Sequence, residues 1–212
     1  MPEMVPVARS LISPAPPVMM EHGWEVSARR SNADPRIVDC TPLAKVLVYA
    51  PTDSEVARAL GVPFGRAARD VFGILVVGSG PGEWLVLAPP GTASEVAGRV
   101  EAVPNARLVS IVDVTHGRAL IRLTGARTAD LLAKVCAIDF SEEVTPDGAA
   151  FRSSVARLVT DVVRDDENGV RSYLLHCERS SGQYLFDALL DAGDEFDIEI
   201  GGFATVTRGV QE

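Results

Sequence analysis

The chain has 212 residues, a mass of 22.5 kDa and 47% hydrophobic residues, which is enough for one domain with a sizeable core. Its 29 acidic and 20 basic residues give a formal net charge of −9, which argues against binding to nucleic acid or to an anionic membrane surface. The three cysteines form no C-x-x-C pair, so we expect neither a structural zinc site nor a disulfide framework. The sequence shows no signal-peptide pattern and no apolar run long enough to cross a membrane, so we expect a soluble cytoplasmic protein.

Residues 1–42 differ from the rest of the chain in their many prolines, which oppose long helices and interior strands. Large apolar side chains nevertheless recur among them. We predict an extended arm that either wraps its own domain or docks on a partner. Its candidate partner contacts are Met19, Met20 and Trp24, because bare side chains of this size are costly to leave in water.

The next part of the chain predicts a strand at 43–49 and a helix at 51–60, capped by Thr52 or Asp53 and stopped by Gly61. Two strands, 71–77 and 83–87, flank a glycine-rich loop at 78–82. A phosphate-binding loop should lead from a strand into a helix, whereas this loop leads into a second strand. We therefore predict a hairpin turn there.

A helix at 92–103 is followed by the most regular alternation in the chain, at 109–125. The alternation is interrupted by Thr115-His116-Gly117, a short turn-prone segment. It predicts either a β-hairpin or one long strand bent at a bulge.

The next elements are a helix at 126–135 and two strands, 155–163 and 170–177, which are joined by the Asn168-Gly169 turn. A helix follows at 180–190, and its inward-facing residues are predicted to be Tyr184, Leu185, Ala188 and Leu189. A last short strand is expected at 196–200. The order is β-β-α-β-β-α-β-β-α. It predicts an α+β fold of antiparallel sheets with helices packed on one face, closed in a ferredoxin-like manner. We place one domain at 43–203 and a fraying tail at 204–212.

Candidate chemistry is sparse. His116 beside Asp113 could be an oriented base, although a polar turn contact is the favoured interpretation. His176 and Cys177 are adjacent on a predicted strand and should point to opposite faces, which opposes a Cys–His nucleophile.

The arginines offer a second type of candidate. Arg152 and Arg179 lie next to serines and could bind an anion or a partner's carboxylate, or form caps and surface ion pairs. The carboxylates at 165–167 and elsewhere are interpreted as solvated. These residues predict no catalytic, cofactor-binding or metal site in this chain.

Three segments together carry a resemblance: G-P-G-E-W-L-V-L-A-P at 80–89, V-D-V-T-H-G-R-A-L-I-R-L-T-G at 112–125, and the run from 150 to 189 that contains S-Y-L-L-H-C-E-R-S-S-G-Q-Y-L-F-D-A-L. They resemble the gamma subunit of heterotetrameric sarcosine oxidase, over most of residues 70–190. That family is related to the folate-binding aminomethyltransferase fold.

The resemblance implies a structural subunit of an enzyme that oxidatively demethylates sarcosine to glycine. The other products are hydrogen peroxide and formaldehyde, or 5,10-methylenetetrahydrofolate when tetrahydrofolate is present. The resemblance also implies that the partners are the alpha, beta and delta subunits, and that the main contact is with alpha. FAD, FMN, NAD and zinc are expected in those partners and no cofactor in this chain. The alternatives are a stand-alone aminomethyltransferase and a folate-binding scaffold. The first would normally be longer, and the second often carries a conspicuous cysteine motif.

Overall fold

The computed structural model describes residues 7–104 and 107–203. The described strands are β1 (Ala8–Arg9), β2 (Val18–Glu21), β3 (Trp24–Ser27), β4 (Arg36–Asp39), β5 (Ala44–Tyr49), β6 (Ala67–Arg69), β7 (Leu75–Gly80), β8 (Glu83–Ala88), β9 (Ser110–Asp113), β10 (Arg118–Thr124), β11 (Ala150–Val155), β12 (Leu158–Arg164), β13 (Ser172–Glu178) and β14 (Glu199–Ile200). The α-helices are α1 (Glu55–Leu60), α2 (Ala93–Glu101), α3 (Thr128–Val135) and α4 (Gly182–Gly193), and short 3-10 helices lie at Arg179–Ser181 and Asp194–Phe196. None of these helices has the length and apolar character needed to cross a membrane.

The larger sheet has six strands in the order β11-β12-β13-β10-β4-β14. Side chains alternate between its two faces, so Ala119, Ile121 and Leu123 of β10 share one side. On that side they pack with Leu131 of α3 and Leu185 of α4, which are fully buried. The helices α3 and α4 therefore cover one face of this sheet.

The second sheet has five strands in the order β6-β7-β8-β5-β9. Val46 and Val48 of β5 point to its outer face and pack in one cluster with Val56 of α1 and Val96 of α2. The opposite face of β5 contributes Leu47 to a different cluster, shared with strands of the larger sheet.

The two sheets stack through their uncovered faces. Leu47 and Leu85 of the five-stranded sheet form one buried cluster with Leu120 and Leu174 of the six-stranded sheet. The order of layers is helices, sheet, sheet, helices. The predicted α+β architecture, with mostly antiparallel sheets that each carry helices on one face, is confirmed.

Residues 109–125 form neither a hairpin nor a bent single strand. β9 is the edge strand of the five-stranded sheet and pairs with β5, whereas β10 lies between β13 and β4 in the other sheet. The turn between them carries the chain from one sheet to the other, and Thr115 Oγ1 accepts a hydrogen bond from the Lys45 amide at 3.0 Å. Local alternation predicts strands, but it does not specify which strands pair.

The strand predicted at 155–163 contains a turn. β11 and β12 form a hairpin through Ala156 and Arg157, whose φ angles are 47° and 68°. Such turns favour Asn and Gly, so this one leaves no signal in the sequence. The turn predicted at Asn168-Gly169 is present, with positive φ at both residues.

Two details of the helices differ from prediction. The N-cap of α1 is Ser54, which accepts a hydrogen bond from the Ala57 amide at 3.1 Å, and Gly61 ends the helix at φ 65° as predicted. Tyr184 of α4 is 55% exposed, and Phe186 takes the inward position instead. The inward direction of a helix is set by where the helix docks, which apolar content alone leaves open.

The boundary predicted at residue 42 does not separate an arm from the domain. β4 is an interior strand of the six-stranded sheet, and Ile12 is 1% exposed in the core beneath α4. The segment 36–39 contains no proline, so all its amides can enter the sheet. Residues 7–42 thus wrap their own domain, which was one of the two alternatives. The tail predicted at 204–212 lies outside the described residues.

Candidate functional site

The space between the two sheets contains a buried amine. Lys45 of β5 is fully buried, and its Nζ donates hydrogen bonds to the carbonyl oxygens of Thr41 at 2.6 Å and Leu43 at 2.8 Å. Burial lowers the pKa of this amine to about 7, and the charge of Asp39 partly opposes that shift. Burial also raises the pKa of Asp39, against the hydrogen bonds that the carboxylate accepts from Thr41.

A row of polar side chains crosses the six-stranded sheet nearby. His176 of β13, Asp161 of β12 and Arg152 of β11 are register partners on adjacent strands. The Nδ1 atom of His176 lies 3.3 Å from Asp161 Oδ2, and Arg152 Nε donates to Asp161 Oδ1 at 2.6 Å. Arg152 also reaches Glu83 of the five-stranded sheet at 3.6 Å, so the row connects the two sheets at its outer end.

The pKa values in this row shift in the directions expected for a buried pair. Burial lowers the pKa of His176, and the hydrogen bond to Asp161 opposes the shift. Burial alone would raise the pKa of Asp161, but the hydrogen bonds from His176 and Arg152 lower it overall. A neutral His176 that donates from Nδ1 leaves the lone pair of Nε2 as an acceptor. That atom has no hydrogen-bond partner among the residues that the structure describes.

An Asp-oriented imidazole with a free Nε2 has the geometry of a general base, but it lacks the rest of a catalytic site. His176 is only 3% exposed. The adjacent Cys177 points to the opposite face of the sheet, into the core beneath the helices, as the alternation predicts. Burial raises the pKa of the Cys177 thiol to about 11, which disfavours the nucleophilic thiolate.

The side chain of His116 contacts Trp24 rather than Asp113. Its ring stacks on Trp24 with centroids 4.8 Å apart and an interplanar angle of 9°. Asp113 accepts a hydrogen bond from the Thr115 amide at 2.9 Å and thereby shapes the crossover turn. The polar turn contact is therefore made by Asp113, whereas the His116 side chain makes an aromatic contact.

A buried ion pair joins the two sheets at another point. Asp165, predicted to be solvated, is 8% exposed and accepts hydrogen bonds from Arg122 of β10 at 2.7 Å and from Arg69 of β6 at 3.1 and 2.5 Å. Burial would raise the pKa of Asp165, but the two guanidinium groups hold it below its ordinary value. The prediction of a solvated turn is wrong for this residue, because the turn folds back over the charged end of β10.

The residues predicted to contact a partner fall into two groups. Met19 and Met20 of β2 are 43% and 52% exposed, whereas Trp24 is 4% exposed and belongs to the core between the sheets. The prediction treats Trp24 as a solvent-exposed side chain, and its burial in the core corrects that premise. Arg179 donates to the carbonyl oxygens of His116 and Arg9, so it, like Arg152, already bonds within its own chain.

Residues 78–80 of the glycine-rich segment belong to the end of β7, and Pro81-Gly82 form the predicted hairpin turn into β8. Among the described residues, no group of three or more His, Cys, Asp or Glu side chains is arranged to hold a metal ion. Sequence reasoning missed Lys45 and the His176–Asp161 pair. The available signal was a lysine inside the apolar run L-A-K-V-L-V-Y at 43–49.

Comparison with known proteins identifies relatives with this fold. Sarcosine oxidase subunit gamma from Corynebacterium sp. (strain P-1) is 25% identical over 151 residues, covering 71% of this chain and 72% of the relative. A 4-methylaminobutanoate oxidase (formaldehyde-forming) from Paenarthrobacter nicotinovorans is 23% identical over 181 residues, but this chain spans only 22% of its length. The resemblance to the gamma subunit is thus confirmed.

Two solved structures share the architecture. One chain of the heterotetrameric sarcosine oxidase from Corynebacterium sp. U-96 superposes with a TM-score of 0.65 and 24% identity, over 85% of this chain and 92% of that one. The glycine cleavage system aminomethyltransferase T from Bartonella henselae gives a TM-score of 0.67 and 15% identity, over 87% of this chain and 55% of the enzyme. The model of the GCVT N-terminal domain matches residues 69–208, which is more than half of the sequence. The chain therefore belongs to the GCVT N-terminal domain family.

Proposed function

We propose that this chain is the non-catalytic structural subunit, equivalent to gamma, of a heterotetrameric sarcosine oxidase. The observation that carries the proposal is the balanced match to the gamma subunit, which covers nearly equal shares of both chains. By contrast, this chain spans only 55% of the aminomethyltransferase and 22% of the 4-methylaminobutanoate oxidase.

The geometry of the polar groups supports a structural role. Lys45, His176 and Asp165 are all buried between or beside the sheets and bond within the chain. Groups placed in this way specify how the two sheets stack and are poorly placed to meet a substrate.

In the proposed complex, the alpha, beta and delta subunits carry FAD, FMN, NAD and zinc, and alpha makes the main contact with this chain. In the cytoplasm the complex oxidises the N-methyl group of sarcosine, which leaves glycine, and molecular oxygen accepts the two electrons and is reduced to hydrogen peroxide. The one-carbon unit leaves as formaldehyde or as 5,10-methylenetetrahydrofolate.

A stand-alone folate-binding or aminomethyltransferase-like protein is the second candidate, favoured by the family and by the superposition on the aminomethyltransferase. It differs from the first candidate in an observable property. Tight folate binding by the isolated chain supports the second candidate, whereas co-purification with three other subunits supports the first.

The deciding experiment is to isolate the untagged protein from its own cells and to measure its mass and visible absorbance. We expect a large flavin-yellow assembly that contains three further chains. A colourless species near 22.5 kDa would overturn the subunit proposal. Folate titration of that species would then test the second candidate.

A further inference from the structure

An open groove of about 660 Å³ lies where the N-terminal segment meets the end of α4 and the edge strand β14. Its apolar walls include Pro17 on one side and Leu190 and Ile198 on the other. Arg29 and Arg30 line the same groove and are exposed. A volume of this size accommodates a few side chains of an extended segment.

The charges around the groove favour an anionic occupant. Arg30 forms no hydrogen bond or ion pair with any residue in the described ranges 7–104 and 107–203. Arg29 uses Nε to donate to the Pro16 carbonyl oxygen at 2.8 Å, and its terminal nitrogens are not bonded within those ranges. The one carboxylate in the lining, Glu199, already accepts a hydrogen bond from Ser31 at 2.7 Å. The groove is thus locally positive in a chain of net charge −9.

The apolar wall continues into an exposed strand. Pro17 directly precedes β2, which is an edge strand of the three-stranded sheet β1-β3-β2. Val18, Met19 and Met20 on β2 are 45%, 43% and 52% exposed. Apolar side chains beside unpaired arginines are typical of the centre of a protein–protein interface.

We infer that this groove receives an extended segment of a partner subunit that carries a carboxylate side chain beside apolar residues. The carboxylate pairs with Arg30 and Arg29, and the apolar residues lie against Leu190 and Ile198. The inference rests on the proposed function, because it assigns one contact surface of the proposed subunit.

The test is charge reversal in the complete assembly. The chain is co-expressed with the subunits that co-purify with it, either as wild type, as Arg30→Glu, or as Arg29→Glu/Arg30→Glu. The control Arg58→Glu/Arg99→Glu changes the net charge by the same amount as the double variant. Its two arginines lie on the outer helices α1 and α2, and each pairs with a glutamate of its own helix. Thermal unfolding of each isolated variant checks that it folds. The single variant Arg30→Glu retains the hydrogen bond from Arg29 to the Pro16 carbonyl oxygen, so it tests the inference even if loss of that bond disturbs the fold of the double variant.

We expect Arg30→Glu to weaken association at least ~tenfold and the control to stay within about twofold of wild type, because like charges at a contact are strongly unfavourable. Wild-type association should also weaken with rising salt more than that of the double variant. Association of the folded Arg30→Glu variant at the wild-type level would overturn the inference and leave the subunit proposal intact. Failure of the wild-type chain to assemble with any other subunit would instead overturn the subunit proposal.

Discussion

Lys45 and His176 are titratable side chains enclosed in the same molecule, but they affect stability in different ways. Lys45 must bury a charge or lose a proton when the chain folds, since burial lowers its pKa to about 7. His176 is buried in its neutral form and satisfies the Asp161 carboxylate through one nitrogen. Both groups make stability depend on pH, Lys45 above about pH 7 and His176 below the ordinary histidine pKa of 6.5, and His176 also contributes a hydrogen bond.

The Lys45 amine should make the protein more stable as the pH rises above about 7. Between that value and the ordinary lysine pKa of 10.5, the unfolded chain binds more protons than the folded one. The contribution of this group to the free energy of unfolding therefore rises by up to about 1.4 kcal/mol per pH unit in that range. Below about pH 7 the amine is protonated in both states and its contribution is constant.

Denaturant unfolding at several pH values between 7 and 9 measures this slope for wild type and Lys45→Met. We expect the variant to lose the rise, whatever its absolute stability. Lys134→Met is the control for the loss of a lysine, because Lys134 is 41% exposed. An identical slope in wild type and Lys45→Met would contradict the prediction.

In the sarcosine oxidase assembly that we propose, replacing His176 should lower the stability of this chain without affecting turnover. His176→Phe removes the hydrogen bond to the largely buried Asp161, and we expect a loss of ~1–3 kcal/mol in the free energy of unfolding. Turnover per bound flavin should remain at the wild-type level. His116→Ala is a control at an exposed histidine. Loss of turnover by several orders of magnitude in normally assembled His176→Phe would restore a catalytic role.

At the scale of elements, the two sheets are joined by polar contacts as well as by the apolar layer. Asp165 follows β12 and binds both Arg122 of β10 and Arg69 of β6, so one carboxylate connects the six-stranded sheet with the five-stranded one. Removal of Asp165 would leave Arg122 with one charge partner among the described residues, the Glu167 carboxylate at 3.4 Å.

Asp165→Ala should therefore destabilise the protein by ~1–3 kcal/mol, because Arg122, whose side chain is 10% exposed, loses its hydrogen bond to the carboxylate and keeps Glu167 as its charge partner. The double variant Arg122→Met/Asp165→Ala should recover part of that loss. Chemical denaturation of the two variants measures the difference. Asp130→Ala, which removes an exposed ion pair, should cost below ~1 kcal/mol. Equal losses for Asp165→Ala and Asp130→Ala would show that the buried network is unimportant.

β3 supplies a second test at this scale, because its Trp24 belongs to the core between the sheets. Trp24→Ala should lower the free energy of unfolding of the isolated chain by ~3–5 kcal/mol. Met20→Ala on the neighbouring strand should change it by below ~0.5 kcal/mol, since Met20 is 52% exposed. If Trp24→Ala weakened assembly but left the isolated chain as stable as wild type, Trp24 would be a partner contact.

At the scale of the whole molecule, residues 7–42 are integral to the fold. A chain that begins at Leu43 lacks β4, which separates β10 from β14, and it also lacks the buried Ile12 and Trp24. We expect this truncated chain to lose cooperative unfolding, measured by near-ultraviolet circular dichroism during thermal denaturation. Addition of a peptide covering residues 7–42 should restore part of the signal. Cooperative unfolding of the truncated chain alone would support the independent domain at 43–203.

Local signals located most of the elements. An apolar run marks β5, alternation marks β10, a left-handed glycine ends α1, and Asn168-Gly169 marks the β12–β13 turn. The resemblance carried by residues 80–189 supplied the family, which composition and spacing could not. The misses lie where local signals are silent: the Ala156-Arg157 turn uses no typical turn residue, and β4 is only four residues long.

Patterns in the sequence were enough to predict the fold class, the positions of most strands and helices, and the opposite orientation of His176 and Cys177. Each of these follows from neighbours within a few residues, where alternation and capping act. Three features are visible only in the folded chain: β9 and β10 belong to different sheets, the proline-rich segment completes the six-stranded sheet, and Lys45 and Asp165 are buried. Strand pairing and burial depend on groups far apart in the chain, and their free energy is set by which surfaces leave water together.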